Sequence, residues 1–228
     1  MTQAVLRVIV LAAALAGGAA SLDAQVRGIP VYNAGVPRGI GVYGDVGFPN
    51  DEAGGGTAYA VTGRAGFGAL GATAILSAYN PDGPTDSDVS VGATLNYRLF
   101  GGPLVPLAVT LQGGIGYAKP ESVALLPGGG PGDVTELRFP VGVGFALTIP
   151  NPALAIKPWL APRLDIVRRS GDGFDARTDS EFGLSGGLEL NTLGGFGLHA
   201  TYDAIFAEGG TPGVFGVGAH YTFRVPGL

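Results

Sequence analysis

The stretch that decides the fold is LRFPVGVGFALTI, which runs from Leu137 to Ile149. Its odd-numbered positions hold only leucine, phenylalanine, valine and isoleucine, whereas its even-numbered positions hold arginine, proline, glycine, alanine and threonine. Because successive side chains of a β-strand point to opposite faces, this pattern predicts a strand with one apolar and one more polar face. The same alternation extends from Val89 to Leu99 and from Phe215 to Phe223.

Over the whole chain the alternation predicts about ten strands, with eight or twelve as the neighbouring possibilities. Their lengths suit tilted strands that cross a membrane, which need about 9–11 residues. Tight turns alternate with longer polar connections at 49–56, 80–87, 118–135, 168–179 and 207–212. This asymmetry is typical of an antiparallel transmembrane β-barrel, and an even strand number places both ends of the chain on the short-turn side, the periplasm. The predicted strands lie near residues 38–48, 57–67, 70–79, 88–99, 105–117, 136–149, 156–167, 180–191, 195–206 and 213–224.

Pro162 falls in the middle of the seventh predicted strand. A proline has no N–H to donate to a ladder, and a closed barrel has no free edge on which to place it. We therefore expect a bulge at Pro162, or a strand that starts later.

The composition excludes several other classes of protein. Of the 228 residues, 46% are hydrophobic and only 14% are charged, which is too apolar for a disordered chain and leaves little charge for a soluble surface. The absence of cysteine excludes disulfide scaffolds and thiolate metal sites. The net charge of −5 gives no reason to expect a nucleic-acid partner.

The N-terminus has the organisation of an exported protein. Residues 1–24 combine a short basic segment, the apolar run from Val8 to Ala20 and a small residue at Ala24, which predicts a secretory signal peptide. The chain then divides into an extended N-terminal segment (25–37), a β-barrel domain (38–224) and a short C-terminal tail (225–228).

The last predicted strand carries a more specific pattern. Gly218, Tyr221 and Phe223 have the spacing of the C-terminal signature by which bacterial outer-membrane β-barrels address their insertion machinery. From about residue 38 to 223 the chain thus resembles the small outer-membrane β-barrel proteins. The resemblance implies location in the outer membrane of a bacterium of the Gram-negative type. It also implies that the partners are the insertion machinery, membrane lipids and lipopolysaccharide, and it leaves the oligomeric state open.

If the apolar positions face lipid, the remaining positions face the lumen. We expect the glycines there to make room for long charged side chains, and Arg64, Arg98, Arg138 and Arg163 to pair with carboxylates across the barrel. A filled lumen and a narrow polar channel are both compatible with such a network. The charged lumen candidates are Asp45, Arg64, Arg98, Arg138, Lys157, Arg163, Asp165, Glu181, Glu189, Asp203 and Arg224.

His199 and His220 are the only histidines, and we expect them to lie almost opposite each other on the last two strands. A nearby serine would suit a hydrolase and a nearby carboxylate would suit a metal, but we predict that both histidines belong to the lumen hydrogen-bond network. We therefore predict a non-enzymatic barrel without cofactor or metal, structural or a narrow passive pore. A barrel enzyme acting on lipid or peptide through these histidines and a secreted soluble β-sandwich are the alternatives.

Overall fold

The computed structural model describes residues 25–37, 39–83, 87–102, 105–122, 132–151, 153–171 and 174–223. The predicted signal peptide (1–24), Arg224 and the tail (225–228) lie outside these residues. The strands are β1 Gly39–Pro49, β2 Thr57–Phe67, β3 Leu70–Asn80, β4 Asp88–Gly102, β5 Val105–Ala118, β6 Glu121–Ser122, β7 Gly132–Leu147, β8 Leu154–Gly171, β9 Phe174–Thr192, β10 Phe196–Phe206 and β11 Gly213–Phe223.

Ten of these strands form a closed antiparallel ring, and the two-residue β6 pairs beside β7. Consecutive long strands are neighbours, β1 pairs with β11, and the β5–β7 pairing completes the ring. The predicted ten-stranded barrel is therefore confirmed, and the β-sandwich alternative is wrong. A short 3₁₀ helix, Asp51–Ala53, follows β1. Among the described residues, no helix has the length and apolar character to cross a membrane.

Two details of the predicted strands are corrected. The connection predicted at 168–179 is mostly strand, because β8 continues to Gly171 and β9 begins at Phe174. Pro162 causes no bulge, and it pairs with Leu184 of β9 in an unbroken register. In the ladder between β7 and β8, Pro162 and Ala161 have no paired residue. The register of this ladder is nevertheless the same before and after these two residues. The missing N–H thus removes ladder bonds without shifting the strand.

The outer face of the ring is apolar and exposed. Leu95, Leu198 and Val61 expose 71%, 60% and 61% of their surface, although a folded soluble chain would bury such side chains. This belt needs a lipid environment, as the alternation predicted. Exposed aromatic side chains lie toward the strand ends, where they suit the two membrane interfaces: Tyr97, Tyr117, Phe196, Phe206 and Phe223. Tyr202, also predicted there, lies near the middle of β10.

The inner face of the ring is filled by residues 25–37, which we call the plug. Val26, Ile29, Val31 and Ala34 of the plug each expose 4% of their surface or less. The plug rises from the short-turn mouth, where Pro37 contacts Gly66, to the long-loop end, where Gly28 contacts Tyr79. On the topology of outer-membrane barrels these ends are the periplasmic and the extracellular mouth, respectively.

Candidate functional site

The plug fits against a groove of glycines on the inner wall. A Cβ atom added to Gly47, Gly66 or Gly116 would lie 1.8–1.9 Å from a backbone oxygen of the plug, on Gly28, Pro37 and Gln25, respectively. These contacts involve backbone, which cannot rotate away as a side chain can. These three glycines therefore make room for a main chain, whereas Gly183 of β9 makes room for a charged side chain as expected, because a Cβ there would lie 2.8 Å from Cζ of Arg163.

Hydrogen bonds hold the extracellular end of the plug. The Arg27 N–H donates to Ser90 Oγ over 3.0 Å, and Ser77 Oγ donates to the Arg27 carbonyl over 3.0 Å. The Arg27 guanidinium forms a buried ion pair with Asp88 at the start of β4. Gln25 Nε2 donates to the carbonyl of Ala93 over 2.8 Å. Both main-chain and side-chain groups thus join this end to β3 and β4.

Asp203 of β10 connects the middle of the plug to the buried charges. It accepts a hydrogen bond from the Val31 N–H over 2.7 Å, and it lies 2.7 Å from Nη2 of Arg163. Nε of Arg163 lies 2.7 Å from Asp165 on the same strand. One buried cation therefore contacts two buried carboxylates, and one of these also binds the plug.

Of the other predicted arginines, Arg138 pairs with a carboxylate of its own strand, whereas Arg98 pairs with none among the described residues. Arg138 contacts Glu136 over 2.5 Å, and Glu136 also pairs with Arg169 over 2.7 Å. Arg98 donates to the carbonyl of Gly68 at a periplasmic turn, and no carboxylate lies within ion-pair distance of it among the described residues. The prediction that Arg98 pairs with a carboxylate is therefore wrong. β4 places Arg98 beside the turn, away from the charged residues in the middle of the lumen.

Arg64 is also held without a carboxylate in the described part of the chain. Its Cζ lies 3.6 Å from the ring centroid of Tyr32 in the plug and 4.7 Å from that of Tyr43 in β1. Asp45 of β1, one of the carboxylates expected to pair with the lumen arginines, lies 2.6 Å from Nε2 of His199. Glu181 is half-buried opposite Asp165 in the ladder.

A chain of polar contacts runs through both histidines. Asp45 contacts Nε2 of His199. On the other side of that ring, Nδ1 of His199 lies 3.4 Å from Nδ1 of His220. His220 Nε2 lies 2.8 Å from Asn191 Oδ1, and Asn191 Nδ2 donates to Glu189 over 2.6 Å. The chain therefore extends from mid-lumen toward the periplasmic mouth.

The two histidines are displaced by two residues from the predicted opposition. His199 pairs with Gly218 and His220 pairs with Gly197 in the β10–β11 ladder. A Cβ on either glycine would lie within 2.5 Å of the imidazole opposite it. Each imidazole ring thus lies over a glycine of the neighbouring strand. Of the predicted insertion signature, Gly218 faces His199, and the Tyr221 ring packs 4.7 Å from that of Phe223.

Two residues of the site, Tyr32 and Glu136, were not predicted from the sequence. Tyr32 lies at the centre of the lumen, and its ring is 4.9 Å from Trp159, 5.4 Å from His199 and 6.4 Å from Tyr43. Two features of the sequence could have indicated it. Residues 25–37 lack the alternation of a strand, and the predicted inner wall is rich in glycines. Glu136 was missed because its strand was predicted to begin at that residue.

Cavities around the plug include the following two, both lined by described residues. The first, of about 40 Å³, lies between the plug and the wall near Thr62 and His199, and it has room for little more than a water molecule. The second, of about 390 Å³, is open at the periplasmic mouth and is called the vestibule here. Plug residues 34–37 line it together with Arg64, Arg98 and Lys157. No group of three potential metal ligands occurs among the described residues.

Comparisons with known proteins give structural matches alone. No protein-family model and no curated protein matches the sequence. The β domain of the Bordetella autotransporter BrkA is 15% identical, with a TM-score of 0.48 over 81% of this chain and 98% of that one. The translocator domain of the autotransporter NalP from Neisseria meningitidis is 13% identical, with a TM-score of 0.45 over 82% and 89%. Ail of Yersinia pestis is 16% identical, with a TM-score of 0.39 over 82% and 100%. The closed ring of ten antiparallel strands with an exposed apolar belt is the architecture of a small bacterial outer-membrane β-barrel protein.

Proposed function

We propose that the chain is a non-enzymatic outer-membrane β-barrel whose lumen is closed at rest by its own N-terminal segment. The observation that carries this proposal is the plug, whose backbone oxygens lie against inward glycines of β1, β2 and β5. A structural barrel and a narrow passive pore of small conductance both fit this arrangement. Sugars and peptides have no open path through it.

The charges support closure as well. Arg163 lies between Asp165 and Asp203, and Arg27 pairs with Asp88 at the extracellular end of the plug. The predicted lumen charges are nearly balanced, six basic against five acidic, so the residual current should show weak ion selectivity. Opening would require the plug to leave its hydrogen bonds to Asp203, Ser77 and Ser90.

The enzyme alternative receives less support. Both ring nitrogens of His199 face polar partners, Asp45 on one side and His220 on the other. Ser185 lies opposite Asp203, whereas His199 lies opposite Glu189, four residues further along β9. That separation is about 13 Å along a strand, which is too far for a serine to give its proton to the histidine. We expect His199→Ala to leave lipid-hydrolase and peptidase assays at background.

Single-channel recording in planar bilayers tests closure. The wild type should give small, weakly selective currents. Gly47→Ala places a methyl group where the Gly28 carbonyl lies, so the plug should be displaced and the current should rise severalfold. Gly44→Ala is the matched control on the same strand, because a Cβ at Gly44 contacts nothing within 4 Å. Large, porin-like currents from the wild type would contradict closure and leave the barrel itself in place.

A further inference from the structure

His199 and His220 face each other inside the barrel. They are the only histidines of the chain, both are buried, and their Nδ1 atoms lie 3.4 Å apart. The ring centroids are 5.7 Å apart, so the two Nδ1 atoms lie between the rings. The other nitrogen of each ring, Nε2, has a different polar partner.

The partners of the two Nε2 atoms determine where the histidine protons are. Nε2 of His199 lies 2.6 Å from Oδ1 of Asp45, and an ionised carboxylate only accepts hydrogen bonds. Nε2 of His220 lies 2.8 Å from Oδ1 of Asn191, whose amide orientation is fixed because its Nδ2 donates to Glu189. Both Nε2 atoms therefore carry a hydrogen.

Both Nδ1 atoms are then left without a hydrogen. A neutral imidazole carries one N–H, so each Nδ1 presents a lone pair, and the two lone pairs face each other. The separation of 3.4 Å exceeds the usual span of a hydrogen bond from a nitrogen, about 2.7–3.2 Å. Two opposed lone pairs repel each other unless a positive centre lies between them.

This arrangement is the one that metal-binding histidines show. Such a histidine donates its other N–H to a carboxylate or a carbonyl oxygen, which fixes the tautomer and the orientation of the ring. Asp45 holds His199 in this way, and the amide oxygen of Asn191 holds His220. The two nitrogen donors are thus oriented for a cation before the cation binds.

The surroundings favour a monovalent cation with two ligands. Zn²⁺ takes four ligands, of which at least three come from the protein, and no group of three potential metal ligands occurs in the described part of the chain. The charged side chains that act on the two histidines are two acids and two bases: Asp45, Glu189, Arg64 and Lys157. Because these charges balance, a divalent ion would bring two uncompensated charges into a buried site, whereas a monovalent ion brings one. Monovalent copper and silver ions take two ligands on opposite sides, and imidazole is a good ligand for copper.

We propose that His199 and His220 bind one monovalent copper or silver ion between their Nδ1 atoms. The sequence alone predicted no metal, because it shows the two histidines without showing which nitrogen each presents. The vestibule, which Asn191 lines, is the entry from the periplasm, and His199 lines the smaller cavity on the other side of the pair. The site does not depend on whether the barrel conducts.

Silver is the probe, because Ag⁺ is stable in air and the chain offers few competing soft ligands. The chain has no cysteine, and its only methionine, Met1, lies in the predicted signal peptide. The folded wild type is titrated with silver nitrate by calorimetry, in detergent and chloride-free buffer at neutral pH. Ag⁺ should bind saturably at one site per chain, and Zn²⁺ should bind at least about tenfold more weakly. X-ray absorption of the silver-loaded barrel should show two nitrogen neighbours.

Variants assign the ion to the histidine pair. His199→Phe and His220→Phe each remove one nitrogen donor and keep a ring, so each should weaken Ag⁺ affinity by at least about tenfold. Asn96→Ala removes a buried polar side chain from the inner face of β4, and this matched control should bind like the wild type. Heat-dependent gel mobility checks that each variant has folded, and the comparison of Ag⁺ with Zn²⁺ on the wild type stands even if one has not.

Three results would overturn the proposal. The first is the absence of saturable Ag⁺ binding to the wild type, which would leave a shared proton as the positive centre between the two rings. The second is Zn²⁺ binding as tight as that of Ag⁺. The third is unchanged Ag⁺ affinity in folded His199→Phe and His220→Phe, which would place the ion elsewhere in the chain.

Discussion

Asp203 shows how one side chain joins the plug, the wall and the charge network. It is almost fully buried, accepts the Val31 N–H of the plug, and pairs with Arg163 of β8. Parity along β10 predicts that it faces inward, and it does. Its two partners were not predictable, because they come from segments far away in the sequence and depend on the register of β8 and the path of the plug.

Asp203→Ala should be strongly destabilising. The substitution leaves the buried Val31 N–H unpaired, which costs about 1–3 kcal/mol, and it leaves Arg163 with Asp165 alone. Denaturant unfolding of the barrel in lipid vesicles measures the change. Asp175→Ala, at an exposed position of β9, is the control and should change the free energy of unfolding by less than about 0.5 kcal/mol. Equal effects of the two substitutions would contradict the role of Asp203.

At the scale of elements, the strands were predictable and the plug was not. A strand such as β5, Val105–Ala118, is encoded by alternation within its own residues, so its limits were predicted to within one residue. Residues 25–37 have no such period, and their conformation depends on contacts with eight strands of the wall. The sequence therefore shows the apolar residues of the plug, but it does not show the wall surface against which they are buried.

The fit of the plug against β5 can be tested with two glycines of that strand. A Cβ at Gly116 would lie 1.8 Å from the Gln25 carbonyl oxygen, whereas a Cβ at Gly113 contacts nothing within 4 Å. Gly116→Ala should displace the plug and expose Arg27 to trypsin, so cleavage after Arg27 should be severalfold faster than in the wild type. Gly113→Ala should be cleaved like the wild type. Mass spectrometry identifies the cleavage, and equal rates in both variants would show that the groove does not hold the plug.

At the scale of the whole molecule, the barrel depends on an apolar belt in contact with lipid. Val217 lies in the middle of β11 and is 38% exposed on the outer face. Val217→Arg should lower the free energy of unfolding in vesicles by about 2–4 kcal/mol, because it places a charge near the middle of the membrane. Val217→Leu keeps the apolar contact and should change little. A wild-type chain that stays monomeric in water without detergent would contradict the membrane-spanning barrel.

The central claim is that residues 25–37 lie inside a membrane-spanning barrel, and the chain contains no cysteine that could interfere with a crosslinking test. A Cβ at Gly92 on the inner face of β4 would lie 2.9 Å from Cγ1 of Val26, which suits a disulfide, whereas Val91 next to it is exposed on the outer face. The most direct measurement is thiol titration of two double variants, V26C/G92C and V26C/V91C, after mild oxidation of the folded barrel. We predict that V26C/G92C loses both free thiols within one chain and that V26C/V91C keeps them; free thiols in V26C/G92C, or a bond in V26C/V91C, would contradict the account.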